Sequence, residues 1–283
     1  MPPRTTPSER QKRLGSELRK MRTSAGVSAE HAAGLLGLDR AKISNIETGI
    51  RTISVERLRT LACHCACSDQ AYVDALVGMA ATNGRGWWER YRGSLSQGLL
   101  DIAELESYAV RMRTAHTAHI PGLLQTSDHA LELFRAVLPP LPDHETALRL
   151  AYRVERQKVL AGEEPPEYVG IIHEAALRMQ FGGREVARRQ LQHLLQVSER
   201  PNIELLVVPF AAGTFPGAGQ TVNYLEGSVP QLDTVQVDSS HGPEFLGSEA
   251  QLYKYRAHLD WMERIALSPA ASRDFIRHIS NDL

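Results

Sequence analysis

Residues Ser28–Gly49 read SAEHAAGLLGLDRAKISNIETG, and this stretch decides how the N-terminal part of the 283-residue chain folds. Ser28 can cap a helix through its side-chain oxygen, and Ala32, Ala33, Leu35 and Leu36 set an apolar face behind it. Gly37 tolerates the left-handed backbone of a tight helix end, so the chain can reverse there. Leu38 fills the corner and Asp39 caps a second helix, whose Ile43 and Ile46 point to the core while Arg40, Ala41, Lys42, Ser44 and Asn45 lie outward. A small residue at 33, a glycine turn at 37 and an apolar anchor at 43 have the offsets of a helix-turn-helix. An ordinary helical hairpin uses the same kind of glycine turn and is the alternative. The outward face carries chemistry of its own. Arginine and lysine donate to guanine O6 and N7, and asparagine binds adenine bidentately, so Arg40, Lys42 and Asn45 equip the second helix to read base edges.

Residues 14 to 77 resemble the Xre, or phage-repressor-like, helix-turn-helix family at Leu14, Leu18, Arg22, Gly26, Val27, Ser28, Ala33, Leu38, Ile43, Ser44, Ile46, Glu47 and Gly49. The resemblance implies an all-α, five-helix, lambda-repressor-like domain whose second motif helix enters the major groove of double-stranded DNA. By position, it makes Arg40, Ala41, Lys42, Ser44 and Asn45 base-facing and sets Ser28, Thr48 and Arg51 at phosphates. It also pairs Glu47 with Arg22 of the first helix, as scaffold rather than as a reader of bases. The glutamine that the family often has at the start of the motif is Ala29 here, so one phosphate contact is missing.

The chain's composition, 42% apolar and 23% charged, fits a globular protein with room for two domains. Its net charge of −1 argues against indiscriminate nucleic-acid binding, but the charge is unevenly spread. Through Thr60 twelve basic residues face six acidic ones, a balance of +6; the remainder has twenty against twenty-seven, or −7. A basic head on an acidic body suits a DNA-binding domain joined to a domain with another partner. No export or membrane signal is evident: the N-terminus lacks an apolar segment, and the apolar run Ile203–Phe210 is broken by Glu204 and far shorter than the ~20 residues of a span. The expected location is therefore cytoplasmic.

Residues 1–8 read as a disordered arm, 9–81 as the DNA-binding domain, 82–86 as a linker and 87–279 as a regulatory domain. Within the first domain, Cys63, Cys65 and Cys67 flank His64. Cys65 and Cys67 continue the buried face of a helix from Ser54 to Cys67, and the spacing lacks the paired knuckles of a zinc site, so no metal is expected. Cys63 and His64 remain the exposed pair to examine for redox or metal chemistry. A fifth helix spans Asp69–Ala81.

Beyond the linker, Trp87, Trp88 and Tyr91 read as packing anchors. A helix is expected from about Leu99 to Thr114, with Ile102, Leu105, Tyr108, Ala109 and Met112 on one stripe, then one capped by Ser127 or Thr126 and running through Phe134, and one from about His144 to Ala161. Strands are expected at 167–172, 203–208, 220–226 and 233–237, helices at 174–180, 185–199 and 248–266, a loop at 242–244, and a last helix capped by Ser272. This is an α+β domain with a small sheet and surrounding helices.

WWERYR at Trp87–Arg92, Glu106, IPGLLQT at Ile120–Thr126, Arg156–Gln157, HEAALRMQFGG at His173–Gly183, Gln190 and PNIELLVVP at Pro201–Pro209 resemble, as a set, the C-terminal domain of the actinobacterial WhiJ-like regulators. That resemblance implies a homodimer and a partner for the second domain: a small BldB-like protein encoded nearby, a small-molecule ligand, or both, in an operon described as antitoxin-like. No catalytic motif stands out, so an enzyme is not expected. His116 and His119 share a segment without a nucleophile or metal pattern. Gly213, Gly217 and Gly219 precede a strand rather than a helix, which suits a mobile loop better than a phosphate cradle. His173 and Glu174 fall at a strand-to-helix junction.

Overall fold

A computed structural model describes residues 6–82, 86–215, 219–239 and 241–283. The chain forms two compact units, Met1–Leu105 with Ser228–Leu232, and Glu106–Gly227 with Asp233–Leu283. The division therefore falls after Leu105 rather than at 82–86, of which 83–85 lie outside the described residues. Of the expected arm, residues 1–5 lie outside them as well, while Ser8 belongs to the fold as a helix cap.

The first unit opens with α1 (Glu9–Ser24), α2 (Ala29–Leu36), α3 (Arg40–Glu47), α4 (Val55–His64) and α5 (Gln70–Ala81). Each has a side-chain cap that accepts from a free backbone N–H: Ser8, Ser28, Asp39, Ser54 and Asp69. At Gly37 the backbone has φ +61°, the left-handed turn that ends α2. Leu18, Leu58 and Leu76 are completely buried in one core with Ala32, Ile43 and Ile46, each leucine stabilising by ~1.5–3 kcal/mol. Two glycines let α1 approach the end of α3. A Cβ at Gly15 would lie 2.5 Å from the Ile46 carbonyl oxygen, and one at Gly49, where φ is +77°, 2.8 Å from the Gln11 backbone. A 3-10 turn at Trp87–Tyr91 and α6 (Gln97–Ser107) follow. Trp88 and Tyr91 are buried, and Trp87 meets both rings edge-on at 6.1 Å. Asp101, also buried, accepts from Glu9 N at 3.2 Å and Gln97 Nε2 at 2.9 Å, and burial pushes its carboxyl up.

The second unit is built on a six-stranded mixed sheet ordered β3-β2-β1-β4-β5-β6. Its strands are β1 (Arg111–His116), β2 (Glu167–His173), β3 (Ile203–Val208), β4 (Val222–Glu226), β5 (Thr234–Ser239) and β6 (Gly242–Leu246). β1, β2 and β3 are parallel, and the β1–β4, β4–β5 and β5–β6 pairs are antiparallel. The parallel pairs need crossovers. These are α7 (Ser127–Arg135) with α8 (Asp143–Arg156), and α9 (Glu174–Arg178) with α10 (Arg184–Val197). α11 (Glu249–Ile265) covers one sheet face, where Leu252, Leu259 and Met262 pack with Ala115, Ile171, Tyr224 and Val235. Arg113 also bonds α11, donating to Asp260 at 2.6 Å and Glu263 at 2.8 Å. α12 (Pro269–Asp282) packs on α10 and β3.

A helical N-terminal unit followed by an α+β unit is the architecture the sequence leads one to expect, with local corrections: α4 ends at His64 rather than Cys67, α8 gives way to a 3-10 turn after Arg156, and three further segments differ. The helix expected to run to Thr114 ends at Ser107, and residues 111–116 form β1, the strand between β2 and β4. Residues 242–246 pair with β5 as an edge strand instead of forming a loop, an edge being where Pro243 costs no ladder bond. The last helix is capped by Ser268, with Pro269 in its first turn; Ser272 is fully buried and accepts from Val207 N at 2.9 Å.

Candidate nucleic-acid interface

The outward stripe of α3 is made by positions four apart. Arg40, Ser44 and Thr48 form one row and Ala41 and Asn45 the next, and all five are exposed. Ser44 and Asn45 have no side-chain hydrogen-bond partner among the described residues, so both present their polar groups outward. Arg40 pairs with Glu30 of α2 at 3.0 Å, the two side chains being 73% and 69% exposed. Such a pair is worth at most ~1 kcal/mol and exchanges readily for a base or phosphate. Lys42 sits off the stripe, half-buried, with its ammonium 2.8 Å from Asp39. That contact and the Lys42 N–H hold the Asp39 carboxyl below the usual carboxylate range.

The residues expected at phosphates differ in how free they are. Arg51 is exposed, and its guanidinium has no side-chain partner among the described residues. Ser28 accepts from His31 N at 3.1 Å and keeps its hydroxyl hydrogen for an outside acceptor. The Thr48 hydroxyl instead donates to the Ser44 carbonyl at 2.9 Å, so it must rotate before it can donate to a phosphate.

Behind the stripe, Arg22 holds α3 in register. Its Nε donates to Glu47 Oε1 at 2.5 Å, its Nη2 to Oε2 at 3.0 Å, and its Nη1 to the Val27 carbonyl at 2.7 Å. This fork ties α1, the loop before α2, and the end of α3 together. Both side chains are 10% exposed, and Glu47 holds the guanidinium above its ordinary pKa. Arg57 adds a brace that the sequence did not announce: its Nε donates to the Leu36 carbonyl at 3.1 Å, satisfying the end of α2. An arginine two helices further along the chain carries no sequence mark of such a cap.

The other candidates lie apart from this stripe. Cys63 and His64 are exposed at the end of α4; Cys65 and Cys67 pack against the core, and burial pushes the Cys65 thiol up. Among the described residues no three His, Cys, Asp or Glu side chains converge as a metal set. In the second unit His116 ends β1, buried, with Nδ1 3.3 Å from His119 Nδ1. His173 caps α9 by accepting from Ala175 N at 3.2 Å, and Glu174 accepts from Phe210 N at 2.8 Å. Gly213 and Gly219 have left-handed backbones, and Gly217 lies outside the described residues.

A family model described as a helix-turn-helix domain matches residues 13–76. Another, described as a domain of unknown function, DUF5753, matches residues 99–278. No curated protein and no solved structure matches the chain. No helix among the described residues is long and apolar enough to cross a membrane. With its N-terminal helix-turn-helix a DNA-binding regulatory domain, the chain belongs to the DUF5753 family.

Proposed function

We propose that this protein is a sequence-specific transcriptional regulator acting as a homodimer, with the second unit receiving the signal that controls it. The observation that carries the reading is the exposed stripe of Arg40, Ala41, Ser44 and Asn45 on a helix locked in register by Arg22 and Glu47. An eight-residue helix is ~12 Å long and reaches few base edges, so two copies on half-sites about one helical turn apart supply the missing specificity. Binding of a small ligand, or of a small BldB-like protein, to the second unit would change the spacing or orientation of the two reading heads. The reading includes the WhiJ-like kinship and places the protein on DNA in the cytoplasm, with no cofactor and no catalytic role.

The acidic balance outside the first sixty residues also suits a second reading, an antitoxin-like protein that sequesters a partner and autoregulates its operon. Co-purification of a partner together with weak intrinsic DNA binding would favour it. The main test is fluorescence anisotropy of the full chain with DNA from upstream of its own gene, against a random duplex, over a salt series. Specific binding should exceed the control by ~10³ or more. Equal, weak binding to both duplexes would remove the reading for the isolated protein.

A further inference from the structure

The sheet face opposite α11 carries a row of polar residues where a core would ordinarily be apolar. Thr114, Asn223 and Gln236 are direct cross-strand neighbours on β1, β4 and β5. Thr114 and Gln236 are buried, as is His116 two residues further along β1. The Asn223 amide donates to Gln236 Oε1, Gln236 Nε2 donates to Asp238 at 2.6 Å, and His116 Nε2 lies 3.4 Å from Asn223 Oδ1. With His116 donating to Asn223, its Nδ1 is left to accept from His119 Nδ1, whose hydrogen is shared with the Ile120 carbonyl at 3.2 Å. The hydrogen bonds then run in one direction, from His119 at the half-buried margin to the carboxylate of Asp238.

Two arginines stand over this row, and the carboxylates of Glu106 and Asp238 act on both of them. Arg156 of α8 is paired with the buried Glu106 at 2.7 Å. Arg153, one helical turn earlier, has no carboxylate within ion-pair distance among the described residues; it donates to Gln125 and lies over the Phe134 ring at 5.0 Å. Among the described residues its Nε is buried without a hydrogen-bond partner, and so are both ring nitrogens of His129, which is 1% exposed. Burial and the neighbouring Arg156 pull the Arg153 guanidinium down to about 9, and burial with His119 and Arg153 pulls His129 down to about 4. A guanidinium whose Nε is buried and unpaired, and an imidazole with both nitrogens unsatisfied, are costly to keep unless something completes them. Arg153 bonds Gln125, whose amide donates to the Ile120 carbonyl at 2.7 Å; His119 Nδ1 lies 3.2 Å from that same carbonyl, and His129 stands in the first turn of α7, whose cap Thr126 follows Gln125.

We propose that Arg153, His129 and His119 form a binding site for a small molecule bearing an oxyanion, a carboxylate or a phosphate. Arg153 provides a donor fork, His129 a buried donor, and His119 the half-buried entrance to the hydrogen-bond chain. The inference deepens the control reading given above and rests on it for its biological meaning.

The test is a titration of the full chain, ¹⁵N-labelled at histidine, with inorganic phosphate and separately with acetate, at constant ionic strength with chloride as control. His129 is assigned through His129→Phe. The site requires a saturable shift of the His129 ring nitrogens with phosphate or acetate and none with chloride, and whichever oxyanion binds better identifies the ligand class. Arg153→Met should weaken that binding ~10-fold or more, the scale of a lost charge-assisted contact. No saturable response of His129 or His119 in the unmodified protein overturns the site without any appeal to a variant. An unchanged affinity in a folded Arg153→Met protein overturns it too. Specific operator binding without a histidine response leaves the DNA reading intact and removes the site; a histidine response with unchanged operator affinity supports the site and removes its part in control.

Discussion

Replacing Glu47 with alanine separates a scaffold role from a base-reading role. In the intact unit Glu47 accepts two hydrogen bonds from Arg22, at 2.5 and 3.0 Å. Its removal leaves the guanidinium with the Val27 carbonyl at 2.7 Å as its remaining partner among the described residues. Stranding one member of a buried ion pair costs ~3–5 kcal/mol, and the lower end applies because both side chains retain some contact with water. At ~4–8 °C per kcal/mol for a unit of about this size, the unfolding midpoint of the first unit falls by ~12–24 °C. Differential scanning calorimetry of the full chain resolves that transition from the melting of the second unit. Arg22→Met combined with Glu47→Leu should recover most of the loss, because apolar replacements leave no charge stranded. A loss below ~1 kcal/mol, the value of an exposed pair, would refute the argument. So would an unchanged midpoint accompanied by an altered base preference, since Glu47 would then be touching DNA.

Arg40→Ala should cost ~1–3 kcal/mol on the operator and relax sequence preference, measured by anisotropy; equal losses on operator and random DNA would remove Arg40 as a base reader. Arg51→Ala should weaken binding to all sequences alike and lower the salt slope by about 1. Gly15→Ala should lower the stability of the first unit by ~1–3 kcal/mol in urea unfolding, because its Cβ would lie 2.5 Å from Ile46 O and 2.7 Å from Glu47 O. Asp101 gives a pH-dependent prediction. Its folded-state pKa is raised by burial, so the proton binds the folded form more tightly, and stability from this group is full below the unfolded pKa and lost as pH rises through the folded one. Asp101→Asn, which keeps an acceptor for Glu9 N and Gln97 Nε2, should therefore raise the midpoint at neutral pH, with a gain that fades as the pH approaches ~4.

The first unit was legible because its signals are local. Ser28, Gly37 and Asp39 each act within a few residues of themselves, and the α3 stripe follows from helical spacing alone. β1 was hidden because its buried residues break the alternation expected of a strand. Arg113 and His116 face inward, satisfied by Asp260 and Glu263 and by Asn223, which lie more than a hundred residues away. With Met112 continuing the apolar stripe of α6, and no glycine or proline between Ser107 and Arg111, the segment reads as helix. β6 carries Gly242 and Pro243, residues that signal turns unless a partner strand is known. Ser268 and Ser272 are both serines at helix-entry spacing, and the choice between them depends on β3, which buries Ser272 against Val207. The oxyanion site was out of reach for the same reason: Arg153, His129 and His119 come from α8, α7 and the segment after β1, and spacing gives no hint that they meet.

The side-chain caps on all five helices from α1 to α5 have a kinetic consequence. Each helix start is encoded beside itself, so the nucleus that helix formation needs is available as soon as those residues leave the ribosome. The central strand of the second unit is in the opposite position: Arg111 pairs with Glu226, and that contact waits until more than a hundred further residues have been made. Low sequence separation favours early folding, and chains fold as units from the N-terminal side during synthesis. The DNA-reading head should thus be formed while the sheet is still incomplete.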